Sequence, residues 1–202
     1  MAAPTQGSLE SRTSNGLDQF VGVLKDHGGS PDILDLSGAN QWNVDFLSAR
    51  GRLTSDEFTY AATTAFGTSG DFFANQADSR HIETFCKLSL DYKPDSFDGV
   101  LIWDCLEYLV PELLEEVVSH LFEIARPGAS LLCYFHADQN ATKVPITQFR
   151  IIDSKTIQTA TRQLSRPTQF YSNRAVERIF QNFQSVKFFL TRDHLREVIV
   201  RR

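Results

Sequence analysis

The sequence predicts an α/β protein of three layers, with helices on both faces of a mostly parallel sheet and an antiparallel hairpin at its C-terminal end. Two stretches carry that prediction. From Phe97 to Phe135, "FDGVLIWDCLEYLVPELLEEVVSHLFEIARPGASLLCYF" sets an apolar strand, a turn, an amphipathic helix, a turn and a second apolar strand in succession. Neither strand alternates apolar with polar residues, as befits parallel strands covered on both faces. The unit is therefore a βαβ crossover, right-handed by the steric preference that governs such connections. Further on, "SVKFFLTRDHLREVIVRR" reads as two β segments joined by Thr191-Arg192-Asp193-His194.

The elements follow in order. Residues 1–16, "MAAPTQGSLESRTSNG", are small and polar and are expected to be a frayed tail, with the domain proper spanning 17–202. Leu17, Phe20, Val21 and Leu24 recur at helical spacing until Gly28-Gly29 stops the helix. Pro31-Asp32 leads into a short strand, Ile33-Leu34-Asp35-Leu36, and a second helix containing Phe46 and Leu47 ends at Gly51. Between Arg52 and Leu90 no clean period is present: "RLTSDEF" holds a short strand, and "FFANQADSRHIETFCKL" is a helix or a third strand. The crossover helix then puts Leu113, Leu114, Val117, Val118, Leu121, Phe122 and Ala125 on one face, with Glu112, Glu115, Glu116 and Glu123 on the other. Pro127-Gly128 ends it. Residues 139–170 form an insertion in which "TQFRIIDSKTIQTATRQL" makes a further hairpin around Asp153-Ser154. Ser172 caps a last helix whose Val176, Ile179, Phe180 and Phe183 point inward.

Bulk properties exclude several classes. A chain of 202 residues fits one domain able to bury roughly 70% of its unfolded surface, and 42% hydrophobic with 22% charged residues is the balance of a soluble globule. Its apolar runs are far shorter than the roughly 20 residues that cross a bilayer, and no charged and then apolar leader opens it. The expected compartment is the cytoplasm. The cysteines Cys86, Cys105 and Cys133 contain no Cys-x-x-Cys pair, which argues against a disulfide framework or zinc site. His27, His81, His120 and His194 lack metal-ligand spacing, so no metal is expected. The net charge of −5 conceals an asymmetry: residues 1–149 carry 9 Lys and Arg against 21 Asp and Glu, whereas residues 150–202 carry 11 against 4. A basic segment can contact nucleic acid. Here the basic residues are spread through a folded pattern, which favours neutralisation of the chain's own acidic half over a nucleic-acid partner.

Phe97-Asp98 at a strand start, Leu106-Glu107-Tyr108 in the following turn, and Arg126-Pro127-Gly128-Ala129 before the next strand, together with the terminal hairpin, give the chain a specific likeness. It resembles the class I S-adenosylmethionine-dependent methyltransferases over about Ile33 to Arg202, most weakly between Arg52 and Leu90. The resemblance implies a single Rossmann-like domain with a seven-stranded sheet, parallel except for its last strand, and S-adenosylmethionine as cofactor.

The resemblance also implies where the cofactor sits. The family's first motif, acidic-x-Gly-x-Gly-x-Gly, corresponds here to "DLSGANQWN". Asp35 takes the acidic place, but Ser37, Ala39 and Gln41 occupy the glycine places and Gly38 falls between them. Glycines there let the backbone pass close beneath the cofactor. Ser37 and Ala39 are small. Gln41 is not, and Trp42 beside it either fills the cofactor's volume or swings aside to stack on it. Asp35, Ser37 and Gly38 are thus candidate cofactor contacts. The family's ribose-binding carboxylate corresponds to Asp56 or Glu57, although Ser55-Asp56-Glu57 reads equally well as a helix N-terminus. The family's acid near the adenine falls on Cys86, which cannot replace it, unless a shortened loop brings in Asp91.

For chemistry, Asp104 and His136 follow the strands of the βαβ unit at their carboxyl ends, where open α/β sheets bind ligands. Together they could take a proton from an attacking oxygen or nitrogen, and Asp104 also borders the cofactor. The alternative makes Asp104 a turn cap and His136 a surface loop residue. Glu107 and Tyr108 read as structural, with Glu107 bonding backbone N–H groups, and Asp98 and Arg126 as strand-entry and helix-end residues. The leading function is a methyltransferase with a diverged cofactor loop and a small-molecule acceptor. The alternative is a non-catalytic binding or assembly protein in which Gln41 and Trp42 plug the old site. A nucleic-acid-modifying variant is disfavoured because "DCLEYL" stands where base-amino methylases of this fold carry Asn/Asp-Pro-Pro-Tyr/Phe. No membrane partner is expected, a homodimer is possible, and 139–170 covers the site or forms a dimer contact.

Overall fold

A computed structural model of the chain describes residues 9–67, 70–138, 141–165, 170–191 and 195–202. Its main sheet runs, in spatial order, β3 (Arg52–Ser55), β2 (Asp32–Asp35), β4 (Phe97–Trp103), β5 (Ala125–His136), β9 (Leu195–Arg201) and β8 (Ser185–Phe189). The β2–β3, β2–β4 and β4–β5 pairs are parallel, while β9 is antiparallel to both β5 and β8. Among the described residues the sheet therefore has six strands where seven were expected, and β9 alone is reversed. The missing strand would have lain in the weakly patterned middle. Those residues form α4 (Phe72–Asn75) and α5 (Ser79–Ser89) instead. Helical spacing explains the outcome: Phe85, Cys86 and Ser89 bury one face of α5, and the Asp78 side chain caps it by accepting the Arg80 N–H.

The βαβ unit has the predicted order of strand, helix and strand, although its helix ends at Ile124, before Pro127-Gly128, and β5 already begins at Ala125. Every residue of β4 is buried, and α6 (Pro111–Ile124) starts with proline in its first turn and buries Leu113, Leu114, Val117, Val118, Leu121 and Ile124. One core lies on the α6 face, where α3 (Phe58–Phe66), α5, α6 and α7 (Asn173–Ile179) pack. The second core lies under α1 (Asn15–Asp26), whose Leu17, Phe20, Val21 and Leu24 meet the sheet. That approach is close enough to require Gly99 in β4, since a Cβ there would stand 2.8 Å from both Leu24 and Phe20 side chains. Ser14 caps α1 by accepting the Leu17 N–H at 3.0 Å.

A smaller antiparallel sheet, ordered β1 (Glu10–Thr13), β7 (Thr156–Ser165) and β6 (Val144–Ile151), packs against the second core. Its hairpin lies within the 139–170 insertion, whose residues 139–140 and 166–169 fall outside the described part. Part of the expected N-terminal tail belongs to this sheet. Glu10–Thr13 pairs with Thr156–Thr159, and Arg12 forms an ion pair with the buried Glu197 at 3.1 Å. A polar tetrapeptide carries no apolar pattern, so only its long-range pairing makes it a strand. Lys155 and Arg202 of the basic segment pair with Asp18 and Asp95 of the acidic half. Arg192, Asp193 and His194 lie outside the described residues. Among the described residues no helix is long and apolar enough to cross a membrane.

Candidate functional site

The carboxyl ends of β2, β3, β4 and β5 face one edge of the main sheet, and the loops leaving them are tied together. After β2 the chain turns through Gly38, at φ +80°, into α2 (Gln41–Ser48), whose first turn is capped by Asn40. The Gly38 N–H donates to the Asp56 carbonyl (2.9 Å) and the Asp56 N–H to the Asp35 carbonyl (2.8 Å), with Ser37 and Glu57 forming an antiparallel bridge. The turn after β2 is thus zipped to the one after β3.

Asp35 sits beneath this turn, buried and fully engaged. Its carboxylate accepts from the Ser37 N–H (3.0 Å), the Trp103 indole N–H (2.7 Å) and the Asn43 amide (3.4 Å). Burial pushes its pKa up, and these donors oppose the shift. Asp56 is committed as well, accepting from Ser89 Oγ (3.0 Å) and Tyr92 OH (2.8 Å), with burial again the largest upward influence. Glu57 differs. It is exposed, stands at the N-cap of α3 without capping it, and packs on Gly38, where an added Cβ would meet Glu57 Cγ at 3.1 Å. Of the two candidate carboxylates, Glu57 is the one left at the glycine turn.

Gln41 and Trp42 do not plug this place. Both point outward from α2: the Gln41 amide bonds Asp45 (2.6 Å) and Trp42 is 53% exposed. The inward residue is Asn43, which is fully buried. Its amide reaches Asp35 and the Phe149 carbonyl (3.4 Å each), and its Oδ1 accepts the Ile151 N–H at 2.9 Å. Helical geometry decides this, because the Asn40 cap sets the rotation of α2 so that its third residue, not its first two, faces the sheet.

β6 runs across the same edge. Besides Asn43, the Asp104 carboxylate holds it by accepting the Thr147 N–H (3.1 Å), and Tyr108 OH donates to the Pro145 carbonyl (3.2 Å). The Phe149 ring stacks on Trp103 (centroids 4.8 Å apart) and Tyr134 (5.0 Å). Trp103 itself ends β4 at φ +60°, in the left-handed region, which for a bulky residue costs of order 1–3 kcal/mol and marks a constrained site.

Asp104 and His136, expected at adjacent strand ends, are brought within electrostatic reach of each other, both buried. Asp104 is not a side-chain cap of the 3-10 turn Cys105–Tyr108 that follows it, and burial pushes its carboxyl pKa up to about 7. His136 is the last residue of β5, not a surface loop residue. Glu107 lies between the expected roles: it does bond a backbone N–H, that of His136 at 2.7 Å, but its other oxygen is 2.6 Å from the His136 ring at Nδ1. Asp98 and Arg126 pair at the opposite, amino end of the strands (2.5 Å), with Asp32. Cys86 lies on α5 with its thiol pushed up to about 11 by burial, and Asp91 is exposed beyond it. Among the described residues no cluster suited to a metal ion is present.

Asn43, Trp103, Glu107 and Thr147 were not foreseen as site residues. Only Glu107 had a sequence signal, a lone carboxylate inside the apolar run "CLEYL".

No family model and no curated protein sequence matches the chain. Solved structures do match in fold. The chain aligns over 93% of its length with 78% of the Burkholderia thailandensis 1,6-didemethyltoxoflavin N1-methyltransferase, solved with 1,6-didemethyltoxoflavin and S-adenosylhomocysteine bound, at 12% identity and a TM-score of 0.50. S-adenosylmethionine-dependent methyltransferases from Methanosarcina mazei (14% identity, 86% of this chain, 92% of that one, TM-score 0.48) and Aquifex aeolicus (14%, 92%, 90%, 0.47) align less closely. What is shared at such identities is the fold.

Proposed function

We propose that this chain, which has the fold of the S-adenosylmethionine-dependent methyltransferases, is itself such an enzyme and acts on a small molecule. One observation carries the reading: the turn after β2 keeps a left-handed glycine, Gly38, with the exposed carboxylate of Glu57 against it, while Gln41 and Trp42 stay clear. That glycine lets the Glu57 side chain lie against the backbone of the turn, and Glu57 has the chemistry to accept from paired ribose hydroxyls. Asp35 acts indirectly, holding the turn through the Ser37 N–H.

When bound, S-adenosylmethionine supplies an electrophilic methyl group on a sulfonium. The chain's own contribution is to orient the acceptor, exclude water and receive a proton. Asp104 and His136 stand at the strand ends where the acceptor would reach them, and β6 is tied to Asp104 there. On this reading the 139–170 segment is a cover over the acceptor site, and a small acceptor suits the closed geometry.

A second reading, a non-catalytic binding or assembly protein on the same scaffold, is favoured by the commitment of both Asp35 and Asp56 to internal donors. Calorimetric titration with S-adenosylmethionine and S-adenosylhomocysteine separates the two. Saturable heat that weakens about tenfold in Glu57→Gln, the loss of one charge-assisted bond of about 1.4 kcal/mol, supports the enzyme. No heat and no thermal shift at millimolar ligand transfers the conclusion to the non-catalytic protein.

A further inference from the structure

We propose that Glu107 is the positioning residue of this site, that it makes His136 Nε2 the proton acceptor, and that the acceptor molecule is one that must lose a proton from an O–H or N–H group. The substrate class rests on the methyltransferase reading; the geometry of the Glu107–His136 pair does not.

Both oxygens of Glu107 are engaged by one residue. Oε1 takes the His136 main-chain N–H and Oε2 meets ring Nδ1, so a single carboxylate fixes both the strand end and the ring. Glu107 is fully buried, as are Leu106 and Leu109 of the same stretch. An unpaired carboxylate there would cost several kcal/mol. Burial does push its pKa up, but His136 and the Arg196 guanidinium both favour the charged form. Arg196, also buried, donates to neutral acceptors, Asn173 Oδ1 and the Tyr171 carbonyl (2.5 Å each), and among the described residues the Glu107 carboxylate acts electrostatically on it.

An ionised carboxylate only accepts, so the ring hydrogen belongs on Nδ1 and the lone pair on Nε2. The other titratable neighbours do not compete for that role. Tyr108 is held protonated by burial while it donates to Pro145, and burial likewise keeps the Cys105 and Cys133 thiols neutral. Asp104, at the end of β4, lies within electrostatic reach of the ring, and a charged ring would favour the ionised form of Asp104. In the step, the acceptor's O–H or N–H bond breaks, its electron pair stays on oxygen or nitrogen, and the proton joins Nε2. The resulting imidazolium is held by Glu107 and lies within electrostatic reach of Asp104, and it returns its proton to water after product leaves. An acceptor that reacts as a preformed anion or a tertiary amine would make no use of this arrangement.

The test is a ring nitrogen–proton correlation NMR spectrum of the full chain labelled with 15N, without cofactor, in which the His136 signals are identified by their loss in His136→Asn. The expected result is a single tautomer protonated at Nδ1, converted wholly or partly to the Nε2-protonated form in Glu107→Gln and retained in Glu107→Asp. A wild-type ring protonated at Nε2, or a tautomer unchanged in Glu107→Gln, overturns the proposal. If Glu107→Gln does not fold, the wild-type tautomer and Glu107→Asp decide. No cofactor is in the tube, so this result is independent of the calorimetric one. Where the titration shows binding, Glu107→Gln is expected to lower kcat about 10²-fold or more with cofactor affinity unchanged; a fall in affinity alone would instead indicate a structural role.

Discussion

Replacing Asn43 with alanine should loosen the turn that organises the site. The side chain is fully buried and accepts the Ile151 N–H at 2.9 Å, while its amide donates to Asp35 and the Phe149 carbonyl at 3.4 Å each. Truncation strands the Ile151 N–H, a loss of about 1–3 kcal/mol for one buried unsatisfied donor. The two long bonds contribute less. Asp35 keeps its two shorter donors, and a carbonyl has a second lone pair. The combined effect is about 2–4 kcal/mol. For a chain of this size each kcal/mol moves Tm by about 2–4 °C, so the variant should melt roughly 5–15 °C lower. Urea denaturation with an unchanged m-value would attribute the change to stability of the native state. Gln41→Ala, which removes only an exposed contact with Asp45, should stay within about 0.5 kcal/mol of wild type. If Asn43→Ala also stayed within that margin, β6 would not be anchored as described and the reasoning about the closed site would fail.

Phe149→Ala should cost about 3–5 kcal/mol by opening a cavity in the Trp103–Tyr134–Phe149 stack. In a Trp42→Phe background, where Trp103 is the remaining tryptophan, emission should shift to the red and acrylamide quenching should rise; unchanged quenching would contradict the stack. The Asp104 pKa, raised from 3.8 to about 7, means the folded protein binds a proton that the unfolded chain has already released. This contribution to stability is fully present below about pH 4 and is lost as pH rises through 7. Wild-type stability measured in urea between pH 4 and 8 should therefore fall by up to about 4 kcal/mol more than that of Asp104→Asn; parallel profiles would refute the shift. Trp42→Ala should alter S-adenosylmethionine affinity less than threefold, since the indole faces away from the turn, and a tenfold loss would place it back at the ligand.

Local pattern was enough wherever a segment's apolar period and its ends agreed. The β4–α6–β5 unit, the helix from Asn15 and the Ser172 cap were legible because 3.6-residue and unbroken apolar patterns state directly which face is buried. The positions of Asp35, Asp104 and His136 at strand ends followed from the same patterns. What the side chains do there was not legible. Glu57, not Asp56, stands at Gly38 because Ser89 and Tyr92, more than 30 residues away in sequence, engage Asp56. Asn43 turns inward, and Trp42 outward, because of the rotation of α2 on its cap.

The sequence by itself determined the layers, the crossover and the reversed final strand, since these depend on which residues must leave water, a property each segment carries alone. The tertiary structure decided the rest. It recruited the polar Glu10–Thr13 as a strand, laid β6 across the strand ends and joined Glu107 to His136. All of these depend on hydrogen-bond partners distant in the chain. A polar group's partner is chosen by geometry once the backbone has closed, and no local pattern records that choice.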